Sequence, residues 1–289
     1  MSDKLLMILF LQQLKGFGPV KINSKCGKFL RKANDLDELA FAVKDGNTFA
    51  QIPGAKASAI RLYDSIMADD AVTAITTFDP EYPASFQSLG DKKPPVIFVK
   101  GDLTLLSKPA IAIVGTRHPS AVTIAKTREI AESIAEKGIA VVSGLAEGCD
   151  TLAHLGAIDQ PGRTVAVLPS GFNKIYPKQN TALASKIAET GCLVSEYAPD
   201  TSSSKFTFVR RDALIAALGK KTIVMECAVS SGTMHTADAA YEMHRPVGCF
   251  FPDSMDESFA GNEHIVKTMS GIRISNDSDV DAFCEKVLQ

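Results

Sequence analysis

The chain has 289 residues, a formal net charge of −2 and a pI near 6.2. This near-balance excludes a global positive field that would hold the protein on DNA or on a membrane surface, so any nucleic-acid site must be a local patch. The length allows one or two domains with a large core. No apolar run is long enough to span a bilayer and no secretory leader is evident, so we expect a cytoplasmic protein.

The six cysteines and five histidines are scattered along the chain. No two cysteines form a CxxC pair, and no cysteine or histidine has the spacing of a metal-ligand set. This pattern argues against a disulfide framework and against a structural zinc site. We therefore expect reduced thiols, no bound metal and no cofactor.

Residues 1–70 are predicted to form a small all-helical domain. An apolar helix covers residues 5–14, a GFGP turn follows at 16–19, and a basic helix comes after the turn. Pro53–Gly54 is expected to break the chain before a further helix at 57–67. The order of turn and helices is typical of a helix–hairpin–helix or SAM-like domain.

The GFGP turn has two glycines, which let backbone amides approach a phosphate closely. The stretch after it contains five basic residues and no acidic one. The alternative is a tight turn between two packed helices, with lysines that serve only solubility, and the sequence leaves both possibilities open. The basic residues are Lys21, Lys25, Lys28, Arg31 and Lys32.

Residues 71–289 change to a pattern of short strands and helices. Two strands, in the segments VTAITTF and VIFVKG, surround proline-bearing turns, and from residue 110 strands and helices alternate with short connections. The strands are apolar throughout, as expected when helices cover both faces of a sheet. The sequence therefore predicts the α/β class: an extended Rossmann-like, doubly wound, mostly parallel sheet, preceded by the helical domain.

The predicted elements from residue 110 onward form a regular series. The strands are expected at 111–114, 139–143, 164–168, 192–195, 221–226 and 246–250. The helices are expected at 121–137, 150–158, 179–190, 209–218, 233–243 and 279–287. A long polar connection, 198–206, precedes the helix at 209.

Small, hydroxylated and glycine residues follow several of these strands. Because the carboxyl ends of parallel strands meet at one edge of a sheet, such turns can bring backbone amides to one ligand. One such turn is ordinary in an α/β protein, whereas several on one edge favour a ligand site. No GxGxxG or Walker lysine motif is present, so ordinary NAD or NTP binding is not indicated. The turns contain Gly115–Thr116–Arg117, Ser143–Gly144, Pro169–Ser170–Gly171 and Ser231–Gly232–Thr233.

Four basic residues are candidates for contacts to phosphate at that edge. Arg117 and Lys178 are the cations expected to bind it directly, because both follow strands of the sheet. Arg210 and Arg211 open a helix, where a positive charge opposes the helix dipole. Their placement indicates either an anionic ligand or a carboxylate partner, with Glu196 and Asp212 available in the sequence.

No acid–base pair for catalysis is defined by spacing. His154 lies four residues after Asp150, which is more typical of a helix-start carboxylate and a packed histidine than of a catalytic pair. Glu226, at a strand end, could orient a ribose hydroxyl or act as a base. We predict no catalytic residue and therefore a protein that is not an enzyme.

Taken in order, the motifs resemble those of the bacterial DNA-processing protein A family. The resemblance covers nearly the whole chain, and the order and spacing of its motifs make it specific. The motifs are GFGP (16–19), FDPEYP (78–83), PPVIFVKGD (94–102), IAIVGTR (111–117), VVSGLAEGCDTLAH (141–154), GRTVAVLPSG (162–171), IYPKQN (175–180), LVSEY (193–197), FVRRDALIAALG (208–219) and VMECAVSSGTMHTADAA (224–240).

The resemblance implies a helical amino-terminal domain joined to an extended Rossmann-like domain. It also implies a homodimer that binds and protects single-stranded DNA and helps to load a RecA-type recombinase during recombination or natural transformation. The family's DNA-contacting arginine falls on Arg117 and its Y-P-(K/R)-x-N lysine on Lys178. The DNA-binding residues predicted on these grounds are Gly115, Thr116, Arg117, Ser143, Gly144, Lys178, Asn180, Arg210, Arg211, Ser231, Gly232 and Thr233.

The chain departs from the family at one rim of this expected site. Where the family usually has F-P-x-R-N-R, this chain has Val209, Asp212 and Ala213 in place of the proline, the asparagine and the second arginine. No carboxyl-terminal winged helix is expected. Two alternatives on the same fold remain open: a nucleotide-binding sensor, and a nucleoside-monophosphate hydrolase that uses Glu226 and Arg117.

Overall fold

The structure, a computed structural model, describes residues 4–160, 164–285 and 287. It divides into two compact units. Unit 1 comprises Met1–Tyr82 and Gln87–Val99, and unit 2 comprises Pro83–Phe86 and Lys100–Gln289. The sequence predicts a boundary at residue 70 between two domains that fold independently. The division into two units does not test independent folding, so this boundary stays a prediction.

Unit 1 begins with helices and ends with a pair of strands. Its helices are α1 (Lys4–Gln13), α2 (Pro19–Lys21), α3 (Gly27–Lys32), α4 (Leu36–Ala42) and α5 (Ile52–Met67). Strands β1 (Thr73–Thr76) and β2 (Val96–Gly101) pair antiparallel. Helix α1 is apolar on nearly all sides, and its residues from Met7 to Leu11 are fully buried, so it forms the centre of this core.

Two features of unit 1 differ from the sequence-based prediction. Helix α5 begins at Ile52, five residues before the predicted start, because Pro53 lies in the first turn, where no backbone N–H is needed. Helix α4 was not predicted. Its N-cap is Asp35, whose side chain accepts a hydrogen bond from the Glu38 amide at 2.8 Å.

Unit 2 contains seven strands that lie side by side in a sheet, and neighbouring strands among these seven are all parallel. The strands are β3 (Ala110–Val114), β4 (Ala140–Ser143), β5 (Thr164–Leu168), β6 (Cys192–Ser195), β7 (Lys221–Val224), β8 (Val247–Phe250) and β9 (Ile272–Ile274). Their order across the sheet is β6-β5-β4-β3-β7-β8-β9. The predicted α/β class, with a Rossmann-like sheet after a helical amino-terminal region, is confirmed.

The strand order reverses direction at β3. The chain runs outward from β3 through β4, β5 and β6, then returns to the other side of β3 with β7 and continues outward. In open α/β sheets, ligands bind beyond the carboxyl ends of the strands at such a switch point. The helices of unit 2 are α6 (Ala121–Glu136), α7 (Cys149–Ala157), α8 (Thr181–Thr190), α9 (Lys205–Leu218), α10 (Thr233–Glu242), α11 (Ala260–Thr268) and α12 (Asp277–Cys284).

Unit 2 also departs from the prediction in places. Helix α9 begins at Lys205 instead of residue 209, because Ser204 and Thr207 form a capping box. Helix α11 and strand β9 were not predicted. The predicted closing helix at 279–287 is α12, which ends at Cys284; residue 286 lies outside the described residues.

The six cysteines are buried and unpaired. Burial raises the pKa of the Cys149 thiol to about 12, so this side chain packs as a small apolar group. Within the described residues, no three His, Cys, Asp or Glu side chains come together as a metal site, and no helix has the length and apolarity to cross a membrane.

Candidate nucleic-acid interface

Two adjoining cavities lie in unit 2 at the carboxyl ends of the strands. The first has a volume of about 600 Å³ and the second about 700 Å³. They share Arg117, Ala146, Phe208 and Arg211 in their linings. We call the two together the switch-point cleft, because they open where the strand order reverses at β3.

The first cavity brings together the turns after β3 and β7. These turns meet because β3 and β7 are hydrogen-bonded neighbours whose chains end at the same edge. Seven of the predicted residues line the cavity, namely Gly115, Thr116, Arg117, Arg211, Ser231, Gly232 and Thr233. Lys205 at the start of α9, His118 and His235 also line it, and none of these three was predicted.

Arg117 is held at the mouth of both cavities by its backbone. The amide of Thr116 donates to the carbonyl of Glu226 at 2.8 Å, and the carbonyl of Thr116 accepts from the amide of Cys149 at 3.1 Å. The Arg117 side chain is exposed and has no salt bridge in the described part of the chain. A fixed turn therefore presents an unpaired guanidinium to the cleft.

Lys178 lines the second cavity and is exposed. Asn180, two residues later, is buried instead and lines neither cavity. Its Nδ2 donates to the carbonyl of Leu145 at 2.8 Å and to Thr151 Oγ1 at 2.9 Å. The asparagine thus ties the turn that carries Lys178 to the loop after β4.

The turn after β4 contributes backbone to the cleft. Ser143 is fully buried, and its hydroxyl donates to the carbonyl of Ile113 at 2.7 Å, so it joins β4 to β3 and lines neither cavity. Gly144 lines the second cavity. A β-carbon there would lie 2.6 Å from the guanidinium carbon of Arg211, which explains why glycine occupies the position.

Arg210 and Arg211 both have carboxylate partners. Arg210 makes a two-pronged contact with the buried Glu196, at 3.1 and 2.6 Å, and lies outside both cavities. Arg211 is only 5% exposed; its Nε donates to Asp212 Oδ1 at 2.9 Å and its Nη1 to the carbonyl of Gly144. The structure shows that each arginine is paired with a carboxylate, whereas contact of the two arginines with DNA stays a prediction.

Two aromatic side chains in the cleft were not among the predicted residues. The rings of Tyr176 and Phe208 meet edge to face, with centroids 5.3 Å apart and planes at 77°. Tyr176 is 44% exposed and lines the second cavity, and Phe208 lines both. The sequence could have indicated Tyr176, because this residue directly precedes Pro177 and the predicted Lys178.

The carboxylate proposed for hydrolysis has another role. Glu226 is buried, and its Oε2 accepts from the amide of Ser120 at 2.9 Å and from the Ser120 hydroxyl at 2.7 Å. It therefore stabilises the start of α6 and lines neither cavity. Asp150 and His154 do not pair either: Asp150 accepts from the Gly144 amide at 3.2 Å, and His154 Nδ1 contacts Thr164 at 2.7 Å.

The chain is similar in sequence to proteins of one known family. The family model for DNA recombination-mediator protein A matches residues 73–284. The chain belongs to this family. The DNA processing protein DprA of Bacillus subtilis is 38% identical over 194 residues, which are 67% of this chain and 65% of that relative.

Other members of the DNA recombination-mediator protein A family are similar over different lengths. The DprA of Streptococcus pneumoniae is 31% identical over 226 residues, 75% of this chain and 79% of that relative. The match to Protein Smf of Synechocystis spans only 44% of that protein. The chain thus covers less than two thirds of the length of some relatives.

Two crystallised or otherwise solved family members share the fold. The X-ray structure of S. pneumoniae DprA superposes with a TM-score of 0.81 and 26% identity, covering 98% of each chain. The Helicobacter pylori protein, described for its single-stranded DNA binding mode, gives a TM-score of 0.67 and 27% identity over 75% of this chain and 95% of that chain.

Asp212 is the most consequential departure from the family's F-P-x-R-N-R pattern. Its carboxylate lines the first cavity, but it pairs with the buried Arg211 and not with an exposed cation. Burial raises the pKa of this carboxyl, while Arg211, His235 and Arg117 lower it. Val209 adds exposed apolar surface to the same cavity.

Proposed function

We propose that this protein binds single-stranded DNA in the switch-point cleft. The observation that carries the proposal is the convergence of two exposed cations, Arg117 and Lys178, on one cleft. They come from separate turns, neither has a salt bridge in the part of the chain that the structure describes, and the cleft also contains Tyr176 and Phe208. Single-strand sites combine a positive groove for the backbone with aromatic faces for the bases. Membership of the family and the H. pylori relative support the same conclusion.

The predicted residues divide into two roles under this proposal. Arg117 and Lys178 contact phosphates, and the small residues of the flanking turns let the strand approach the backbone. The others hold the cleft in shape through the internal bonds described above. The contacting turns contain Gly115, Thr116, Gly144, Ser231, Gly232 and Thr233, and the positioning residues are Ser143, Asn180, Arg210 and Arg211.

The wider role rests on family membership. We propose that the chain works in the cytoplasm as a non-enzymatic homodimer that protects single strands and helps a RecA-type recombinase to assemble on them, in recombination or natural transformation. Sedimentation equilibrium is expected to give the mass of a dimer. The recombinase is expected to coat single-stranded DNA faster in the presence of this protein, and a monomer without effect on coating would contradict this role.

Fluorescence anisotropy of a labelled oligo-dT tests the binding itself. Arg117→Ala/Lys178→Ala is expected to weaken binding at least tenfold. The slope of log affinity against log salt should become shallower by about 1.4, because each single-strand phosphate contact contributes about 0.7. The matched control, Lys108→Ala/Lys186→Ala, removes the same charge from exposed positions outside the cleft. Wild-type affinity in the first variant, or binding that salt does not change, would contradict the proposal.

A further inference from the structure

Unit 1 contains a polar cavity of its own, with a volume of about 180 Å³. Arg31, near the end of α3, and Lys93, just before β2, both line it. Thr77 and Gln87 add polar groups to the lining, which contains no acidic residue. Two cations from distant parts of the sequence therefore share one small space. Within the described residues, neither side chain has a hydrogen bond or a salt bridge.

The wall of this cavity is fixed by a specific contact. The side-chain amide of Asn23 donates to the carbonyl of Asp91 at 3.0 Å and to the carbonyl of Lys93 at 2.8 Å. It thereby ties the segment between α2 and α3 to the segment that carries Lys93. Gly27 lies beside the Arg31 guanidinium, and a β-carbon there would be 3.6 Å from its Nη1. Arg31 and Lys93 are thus brought to one cavity by the tertiary structure.

One of the segments that line the cavity is strongly basic. The segment 15–33 contains six basic residues and no acidic one, although the whole chain has a net charge of −2. Such a local patch attracts polyanions even when the overall charge is close to neutral. The six are Lys15, Lys21, Lys25, Lys28, Arg31 and Lys32.

Part of the GFGP hairpin is engaged inside the molecule. The amide of Phe17 donates to the carbonyl of Leu14 at 3.1 Å, and that of Lys15, directly before the hairpin, donates to Gln51 Oε1 at 2.9 Å. Lys21 lies over the Phe17 ring, 3.4 Å from its centroid. Arg31 and Lys93 line the cavity and have no side-chain hydrogen bond or salt bridge within the described residues. An aromatic residue, Phe78, also lines that cavity and is 37% exposed.

We propose that the Arg31–Lys93 cavity is a second binding site for single-stranded DNA. Arg31 and Lys93 hold one phosphate of the backbone, and the exposed ring of Phe78 packs against an adjacent unpaired base. This combination of cations with an aromatic side chain is the one that single strands require. The site lies in unit 1, whereas the switch-point cleft lies in unit 2, so the proposal goes beyond the function proposed above and can hold or fail separately.

The test uses the full chain with labelled oligo-dT, in the wild type and in the Arg117→Ala/Lys178→Ala background. In both backgrounds, Arg31→Ala/Lys93→Ala is expected to weaken binding about fivefold to tenfold and to make the salt slope shallower by about 1.4. Phe78→Leu should weaken binding about threefold without changing the slope, because stacking releases no counterions.

The matched control is Lys25→Ala/Lys32→Ala, which removes the same amount of charge from the segment that carries Arg31 but from outside the cavity lining. Equal losses of affinity in this control and in Arg31→Ala/Lys93→Ala would show a diffuse electrostatic field and overturn the site.

A second variant, Gln87→Glu, tests the site even if the double variant folds poorly. It keeps both cations, adds a carboxylate at an exposed position of the cavity and should also weaken binding. Wild-type affinity in Arg117→Ala/Lys178→Ala would contradict DNA binding in the switch-point cleft but would not contradict binding at the Arg31–Lys93 cavity. Equal competition by duplex DNA would overturn the assignment to single strands.

Discussion

Arg211 is a buried cation around which the switch-point cleft is organised. Its guanidinium makes three contacts: with Asp212 and with the ring of Phe208, both on its own helix α9, and with the carbonyl of Gly144 after β4. The centroid of the Phe208 ring is 5.6 Å from the central carbon of the guanidinium. Burial raises the pKa of Asp150, and the charge of Arg211 lowers it, so the same cation supports a second buried carboxyl. A buried cation with several carboxylate neighbours is costly to remove.

Arg211→Ala is therefore expected to lower the free energy of unfolding by about 3–5 kcal/mol, because Asp212 loses its partner while it remains shielded from water. Urea unfolding monitored by circular dichroism measures the loss. Lys205→Ala, at an exposed position of the same helix, serves as the control and should change stability by less than about 0.5 kcal/mol. A loss below about 1 kcal/mol in Arg211→Ala would contradict the structural role.

His154 gives the protein a predictable pH dependence. Burial holds the pKa of its imidazole at about 3, with a further lowering by Arg211. An unfolded chain binds a proton at this histidine below a pH of about 6.5, whereas the folded chain does not until a pH of about 3. Stability is thus unaffected by this group above pH 6.5 and falls as the pH decreases from 6.5 towards 3.

At pH 5 this linkage costs the folded state about 2 kcal/mol. The free energy of unfolding of the wild type should therefore drop between pH 7 and pH 5. In His154→Gln, which has no titrating ring, this drop is expected to be smaller by about the same amount, whatever the stability of the variant at pH 7. Denaturant unfolding at the two pH values gives the difference. His264→Gln, at an exposed position, should behave like the wild type. Parallel losses in the wild type and His154→Gln would rule out this assignment.

At the scale of elements, the start of α7 supports the turn that carries Arg117. Gly148, the N-cap, has a φ of +73°, which side-chain-bearing residues rarely adopt. A β-carbon on it would lie 2.6 Å from the carbonyl carbon of Arg117. Gly115 fits closely against the same helix, since its β-carbon would be 2.6 Å from Cys149 Sγ. The helix start and the turn that carries Arg117 therefore pack as one piece.

Gly148→Ala should accordingly lower both stability and affinity for oligo-dT. The backbone strain and the clash with the Arg117 carbonyl are expected to cost more than about 1 kcal/mol. Gly54→Ala is the matched control: no atom lies within 4 Å of its β-carbon, and its place in α5 should make the change stabilising by up to about 1 kcal/mol. Thermal unfolding and anisotropy measure the two effects. If Gly148→Ala folds and its affinity for oligo-dT is unchanged, the start of α7 does not support the turn that carries Arg117.

At the scale of the whole molecule, each unit has its own buried core. Phe10 and Leu39 are fully buried in unit 1, and Ile111 and Ile223 belong to the core cluster of unit 2. Local stability in proteins follows such cooperative units. The predicted domain boundary at residue 70 implies that the helices of residues 4–70 can lose stability without loss of the sheet that carries the switch-point cleft.

Leu39→Ala tests that independence. Removal of a fully buried leucine side chain costs about 2–5 kcal/mol. Hydrogen-exchange mass spectrometry should show faster exchange for amides of residues 4–70 and unchanged protection for those of 110–160. The matched substitution in the other core, Ile223→Ala, should have the reverse pattern. Faster exchange across both segments in Leu39→Ala would mean that the two parts unfold together.

The sequence by itself determined the α/β class, the strands from β3 to β8 and the turns in which Arg117 and Lys178 lie. These features depend on short-range information: runs of apolar residues predict buried strands, and glycine and hydroxyl residues predict the turns between them. The common edge of the sheet follows as well, because parallel strands connected by helices must end on the same side. Helix α11 and strand β9 were missed; β9 has only three residues, of which only Ile274 is buried.

Only the tertiary structure decided which polar side chains have partners and which face the cleft or the unit 1 cavity. Arg210 pairs with Glu196 and Glu226 stabilises the start of α6, whereas Arg117 and Lys178 remain exposed. The approach of Arg31 and Lys93 was not visible in the sequence either. The physical reason is that a hydrogen bond or ion pair requires partners within about 4 Å, and these come from segments whose separation along the chain carries no local pattern.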